Sequence, residues 1–116
     1  MEIDENYHID LDDFINKSEK TGAQYLLLSH MRGHIADMDK VVSICNRMNI
    51  TLIEDCAHTM GSKWNGVRSG NFGLVAAFST QTYKHLNSGE GGFLTTNNSE
   101  LAAKAVVSSG SYMLYD

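Results

Sequence analysis

The sequence predicts an α/β domain with a mostly parallel sheet and crossover helices. Two apolar runs, residues 25–28 and 51–54, have the composition of buried strands. Between them, apolar residues recur at helical spacing, which predicts an amphipathic helix over residues 37–49; these residues are Met38, Val41, Val42, Cys45 and Met48. A strand, a helix and a strand in succession imply a right-handed parallel crossover.

A shorter helix is predicted before the first strand. Asp10 is a good N-cap residue, and the acids that follow it favour the positive end of the helix dipole. Leu11, Phe14 and Ile15 would face inward, and Gly22 would end the helix in a left-handed conformation. The uninterrupted apolar character of the first strand predicts a strand covered on both faces.

The second half continues with short elements. Asn65 and Gly66 predict a two-residue hairpin turn, and residues 74–79 and 92–96 are expected to form further strands. A last helix should begin near Asn98, with an apolar side facing the core; that side comprises Leu101, Ala102, Ala105 and Val106. Residues 108–116 lose this pattern and are predicted to be a connection.

Composition narrows the class of protein. The chain has 116 residues, 42% hydrophobic and 20% charged, which suits one globular domain with a modest core. Its net charge of −5 and its lack of a basic cluster argue against a nucleic-acid surface. No apolar run could span a bilayer, and Cys45 and Cys56 are expected to be buried free thiols. We therefore expect a cytoplasmic protein without membrane contact.

Residues 78–92 contain the residue types best suited to ligand binding and catalysis. Hydroxyl and small residues surround Lys84 between two predicted strands, and a glycine cluster ends the stretch. Hydroxyls and successive backbone N–H groups can bind phosphate oxygens, and a lysine can attack a carbonyl as a nucleophile. A polar loop with a solvated lysine is the alternative, because short patterns often arise by chance.

A second candidate lies at the end of the strand over residues 51–54. Ligands of α/β sheets bind outside the carboxyl ends of the strands, so Asp55 and His58 would lie at that edge. A carboxylate there can keep a heteroaromatic nitrogen protonated. A turn aspartate and a structural histidine are the alternatives. We expect no metal site, because the histidines and Cys56 show no paired ligand spacing.

Asp55, Ser79 and Lys84, in this order with strands between them, resemble the fold-type I pyridoxal-phosphate enzymes. The nearest resemblance is to the DegT/DnrJ/EryC1/StrS family of sugar aminotransferases. It covers residues 7–110 and is carried by several motifs in the same order; these are residues 36–39, 53–58, Gly61, 65–66, 70–73, 78–79, Lys84 and 89–92.

The resemblance implies a role for each matched side chain. Lys84 would bond covalently to the aldehyde of pyridoxal 5′-phosphate and then act as a base in proton transfer. Asp55 would contact the pyridinium nitrogen, and Ser79 would bind the phosphate. His58, where many relatives have glutamine, would contact the ring or its phenolic oxygen. A structural role is nearly as well supported for this histidine.

The resemblance also implies the class of reaction and the partners. The parent enzyme would aminate a keto-sugar, most simply a nucleotide-linked one, with an amino donor, and would act as a homodimer. Residues 1–116 would form a single partial domain, the central part of the large domain, without the N-terminal segment and the smaller C-terminal domain. One alternative is a non-catalytic module that folds by oligomerisation. A pyridoxal-phosphate-dependent sugar dehydratase is another, but such enzymes typically have histidine where this chain has Lys84.

Overall fold

The computed structural model describes residues 1–110. The described chain contains three α-helices and six strands, in this order: α1 (Leu11–Thr21), β1 (Tyr25–Ser29), α2 (Met38–Met48), β2 (Thr51–Asp55), β3 (Lys63–Trp64), β4 (Val67–Arg68), β5 (Val75–Ser79), β6 (Gly92–Thr95) and α3 (Ser99–Ser108). A 3₁₀ turn at Met31–Gly33 follows β1. The predicted α/β class is confirmed. No helix in the described part of the chain is long and apolar enough to cross a membrane.

The helix ends follow from local sequence. The Asp10 carboxylate accepts hydrogen bonds from the N–H groups of Asp12 and Asp13 at the start of α1. Gly22 ends this helix at φ 67°, and its N–H donates to the Ser18 carbonyl. Asp37 caps α2 by accepting from the Lys40 N–H. Both predicted helices therefore begin and end close to the expected residues.

The main sheet has the strand order β1–β2–β5–β6. The first three strands are parallel, and β6 runs antiparallel to β5. The carboxyl ends of parallel strands meet at one edge of a sheet. The last residues of these strands, Ser29, Asp55 and Ser79, consequently lie along the same edge.

Helices α1 and α2 cover one face of this sheet. Their side chains Phe14, Met38 and Val41 join Leu26 and Leu52 in the buried hydrophobic core. Side chains of successive strand residues point to opposite faces, so this covered face also receives Leu28, Glu54 and Ala76, all buried.

The opposite face, which we call the open face, is formed by alternate residues of the same strands; these are Tyr25, Leu27, Ser29, Ile53, Asp55, Val75, Ala77, Ser79 and Leu94. Tyr25 is 65% exposed and Leu27 64%. The prediction that the first strand is covered on both faces is therefore wrong for the described residues. An apolar run shows that the side chains on both faces of a strand are apolar, but it does not show whether another element covers each face. In the described chain, helices cover only one face of β1.

Two peripheral elements complete the fold. The predicted hairpin is confirmed, with β3 and β4 paired across Asn65 and Gly66, both at positive φ. The prediction for α3 holds only in part, because Leu101, Ala102 and Ala105 are half-buried while Val106 is 53% exposed. Of the predicted connection at residues 108–116, residues 111–116 lie outside the described residues.

Candidate functional site

Asp55 ends β2 with its side chain on the open face. The Ser29 hydroxyl, across the β1–β2 pair, donates to Asp55 Oδ2 at 2.9 Å. The backbone N–H of Ala57 donates to Oδ1 at 3.1 Å. Each carboxylate oxygen therefore accepts one hydrogen bond and keeps a free lone pair. This carboxylate is held in one orientation and can still accept a bond from a ligand.

His58 lies three residues farther along the same edge. Its Nδ1 accepts a hydrogen bond from the backbone N–H of Arg32 at 3.3 Å. Arg32 adopts a positive φ of 56°, and its bond to His58 joins the turn after β1 to the loop after β2. The other ring nitrogen, Nε2, makes no hydrogen bond within residues 1–110 and can serve a ligand.

Glu54 precedes Asp55 but points to the covered face, where it is fully buried. Its Oε1 accepts from the N–H groups of Phe72 and Gly73, both at 2.8 Å, and its Oε2 accepts from Gly70 N–H at 2.9 Å. Burial raises the pKa of this carboxyl, but hydrogen bonds from His30 and the three backbone N–H groups outweigh burial and hold its pKa below the ordinary value. Glu54 thus fixes the loop over residues 70–73 beneath the site edge.

His30 and Cys56 join Glu54 in a buried group whose ligand atoms lie within 4.8 Å of one another. The spacing in the sequence did not reveal this group. His30 Nε2 lies 3.4 Å from Glu54 Oε2, and burial raises the pKa of Cys56 to about 11. A metal would have to compete with the backbone N–H groups for the carboxylate and would need the thiolate. Hydrogen bonds from His30 and Cys56 to Glu54 Oε2 join the group, and His30 Nδ1 has no partner in the described chain.

Ser79 ends β5 on the open face, two residues beyond Ala77, the partner of Asp55. Its Oγ accepts a hydrogen bond from Gln81 N–H at 3.3 Å, so its own hydrogen is free to donate. The strand rise and spacing separate the Cα atoms of Asp55 and Ser79 by about 8 Å. A pyridine ring with a phosphate-bearing arm is of similar length.

Lys84 lies in the loop over residues 80–91, which we call the lysine loop. Paired hydroxyls close its base, with 2.8 Å between Thr80 Oγ1 and Ser88 Oγ, and Ser88 N–H donates to the Thr80 carbonyl at 2.8 Å. Thr82 Oγ1 donates to the Gly89 carbonyl at 2.7 Å. The Lys84 N–H donates to Gln81 O, whereas the amine has no hydrogen bond or ion pair within residues 1–110.

The topology thus brings Asp55, His58 and Ser79 to one edge, with the lysine loop leaving that edge from β5. No hydrogen bond joins the Lys84 side chain to the other three in the described chain, so their roles remain predictions. The sequence did not identify the contacts of Ser29 or the anchoring role of Glu54. Strand alternation was the available signal for Glu54, because adjacent residues Glu54 and Asp55 must point to opposite faces.

A known protein family matches nearly the whole of this chain. The model of the DegT/DnrJ/EryC1/StrS aminotransferase family matches residues 2–111. The chain belongs to this family. The match covers the sheet, the predicted site residues and the lysine loop. The family resemblance stated from the motifs is therefore confirmed.

Individual relatives agree with the family match. The chain is 43% identical to the GDP-perosamine synthase of Caulobacter vibrioides over 75 residues, 65% of this chain and 20% of that protein. It is 39% identical to the L-glutamine:2-deoxy-scyllo-inosose aminotransferase of Micromonospora echinospora over 80 residues, 69% of this chain and 19% of that protein.

A solved structure of the family has the same fold. The crystal structure of a DegT DnrJ EryC1 StrS aminotransferase from Brucella abortus superposes with a TM-score of 0.79 at 29% identity, covering 89% of this chain and 30% of that chain. Our chain therefore spans about a fifth of the two relatives' length and under a third of this structure.

Proposed function

We propose that this chain contributes the lysine, the ring-nitrogen partner and a phosphate ligand to a pyridoxal 5′-phosphate-dependent aminotransferase. The observation that supports this most directly is the edge at which Asp55 and Ser79 face the same side of the sheet beside the lysine loop. Because the relatives are several times longer, we propose that residues 1–116 are part of a larger cofactor-binding domain.

The polar groups at this edge of the sheet suit pyridoxal 5′-phosphate. Asp55 offers free lone pairs on an oriented carboxylate, which suits a protonated ring nitrogen. Ser79 offers a free hydroxyl hydrogen, which suits a phosphate oxygen. His58 Nε2 is free beside them for the ring or its phenolic oxygen. The Cα atoms of the two residues that carry this carboxylate and this hydroxyl are about 8 Å apart, close to the length of one phosphorylated pyridine.

Lys84, Asp55 and Ser79 would each have a separate role in cofactor binding or proton transfer. When bound, pyridoxal phosphate supplies an aldehyde and an electron-accepting ring. Lys84 would bond to the cofactor aldehyde and, once the amine of the amino donor has displaced it, would move a proton on the substrate carbon. Asp55 would hold a proton on the ring nitrogen. Ser79 would anchor the phosphate, and the hydroxyl contacts at the base of the lysine loop would restrict where the Lys84 amine can reach.

The substrate class is proposed from the relatives. One is named for GDP-perosamine and another for an L-glutamine:scyllo-inosose transfer. We therefore propose a keto-sugar acceptor, nucleotide-linked in the simplest case, and a glutamine- or glutamate-like donor in a cytoplasmic homodimer. Lys84 favours amino transfer over the dehydratase alternative, because only a lysine can bond covalently to the cofactor aldehyde at this position.

The test is covalent trapping of the cofactor. The chain is mixed with pyridoxal 5′-phosphate, its visible absorbance is recorded, and borohydride reduction fixes the product for peptide mapping. We expect a visible band and modification at Lys84, both lost in Lys84→Ala. Lys63→Ala is the matched control, because Lys63 is an exposed lysine on the hairpin. A band that survives Lys84→Ala unchanged would refute the assignment.

The open face supports a second proposal for the chain on its own. Tyr25, Leu27 and Leu94 are each more than half exposed there, and such an apolar surface favours self-association. We propose that the chain alone is an oligomerising, non-catalytic module. Size-exclusion chromatography combined with a transaminase assay tests this, and turnover by a monomeric chain would contradict it.

A further inference from the structure

We infer that Ser29 is a positioning residue for the cofactor, acting through Asp55. This inference rests on the proposed function. Ser29 and Asp55 are register partners at the carboxyl ends of β1 and β2, and both side chains lie on the open face. The Ser29 hydroxyl donates to Asp55 Oδ2 at 2.9 Å.

The hydroxyl completes the orientation of the carboxylate. Ala57 N–H holds only Oδ1, and a carboxylate held by one oxygen can rotate about the bond to its carboxyl carbon. With Ser29 on Oδ2, both oxygens are fixed relative to the sheet. The free lone pairs then keep one direction, and an acceptor that is already oriented binds its ligand with a smaller entropy loss.

A purely structural role explains this contact less well. Ser29 is exposed, and strands β1 and β2 are already joined by five backbone register pairs. The neighbouring His30 N–H also donates to the Asp55 carbonyl, which extends the pairing. In water, an exposed hydroxyl loses little when its partner is removed, because water replaces the bond. The contact should therefore matter for ligand binding more than for folding.

Valine and threonine form the matched pair that tests this inference. Both are β-branched and suit a strand, but only threonine keeps the hydroxyl. We expect Ser29→Val to raise the dissociation constant for pyridoxal 5′-phosphate about tenfold, the effect of one hydrogen bond to a charged group. Ser29→Thr should stay within about twofold of the wild-type chain. Ser43→Ala, an exposed serine on α2, is the control.

A cofactor analogue separates positioning through Asp55 from general damage. In 1-deaza-pyridoxal 5′-phosphate a C–H group replaces the ring nitrogen, so the contact with Asp55 is lost. Ser29→Val should bind this analogue as the wild-type chain does, and its urea-unfolding midpoint should match that of Ser29→Thr. Equal weakening for both cofactors would show that Ser29 does not act through the ring nitrogen.

The outcomes also separate this inference from the proposed function. If the wild-type chain forms the Lys84-dependent band and Ser29→Val binds pyridoxal 5′-phosphate equally well, only the inference about Ser29 is overturned. If no variant, including wild type, forms that band, the proposed cofactor function fails and the role of Ser29 fails with it.

Discussion

Replacing Glu54 by alanine should destabilise the chain strongly, and the structure gives the size of the effect. The substitution removes the acceptor from the N–H groups of Gly70, Phe72 and Gly73 and from His30. Gly70 and His30 are buried, and the other two are half-buried. His30 Nδ1 already lacks a partner. A buried group without its partner costs about 1–3 kcal/mol, so we expect a loss of about 4 kcal/mol.

Urea unfolding, followed by circular dichroism and by the fluorescence of the single tryptophan, Trp64, measures this loss. A domain of this size has a total stability of about 5–15 kcal/mol, so the loss should be large enough to shift the midpoint clearly. Glu100→Gln is the control, because Glu100 is an exposed glutamate on α3. A Glu54→Ala chain within about 1 kcal/mol of wild type would refute the reasoning.

The pH dependence tests the same carboxylate. The pKa of Glu54 lies below its ordinary value of 4.5 in the folded chain. Its stabilising contribution is therefore present above pH 4.5 and is lost as the pH falls through the folded pKa. Glu54→Gln should lack this component of acid destabilisation, whereas Glu100→Gln should keep it. Parallel acid profiles for wild type and Glu54→Gln would contradict the ionised, hydrogen-bonded Glu54.

Two further predictions concern close packing and thiol chemistry. Gly92→Ala should cost about 3 kcal/mol, because its Cβ would lie 2.5 Å from the backbone oxygen of Phe78; urea unfolding measures the loss. Cys56, with a pKa raised to about 11, should react very slowly with iodoacetamide at pH 8, because only about one thiol in a thousand is ionised; mass spectrometry follows the labelling.

Both predictions have internal controls. Gly89→Ala places a Cβ at φ +88° but meets no atom within 4 Å, so it should cost only about 1 kcal/mol of backbone strain. Equal losses at Gly89 and Gly92 would argue against the clash. Urea-unfolded chain should label quickly at Cys56, and equally rapid labelling of the native chain would contradict burial of this thiol.

Local features were predictable from the sequence because a few neighbouring residues determine them. The Asp10 cap, the Gly22 helix end and the Asn65–Gly66 turn depend on backbone conformations that these residue types favour. The order of strands and helices likewise followed from hydrophobic periodicity. These parts of the prediction required no knowledge of distant contacts.

Features that depend on distant residues were not predictable in the same way. The backbone donors to Glu54 come from residues at least sixteen positions away, and the Ser29–Asp55 bond spans twenty-six. The exposure of Tyr25 and Val106 depends on which surfaces other elements cover, and the composition of a strand or helix does not record that. The roles of the site residues come from family resemblance, whereas the common edge of Asp55, His58 and Ser79 follows from the sheet.

The open face has an electrostatic consequence for Asp55. Two opposite unit charges 4 Å apart attract by about 1 kcal/mol in water but by about 4 kcal/mol at the effective dielectric constant near a protein surface. On the open face, which solvent reaches, the attraction between this carboxylate and a cationic ring lies between these two values. A polypeptide that shielded the open face from solvent would strengthen the attraction between Asp55 and a cationic ring without any change in Asp55 itself.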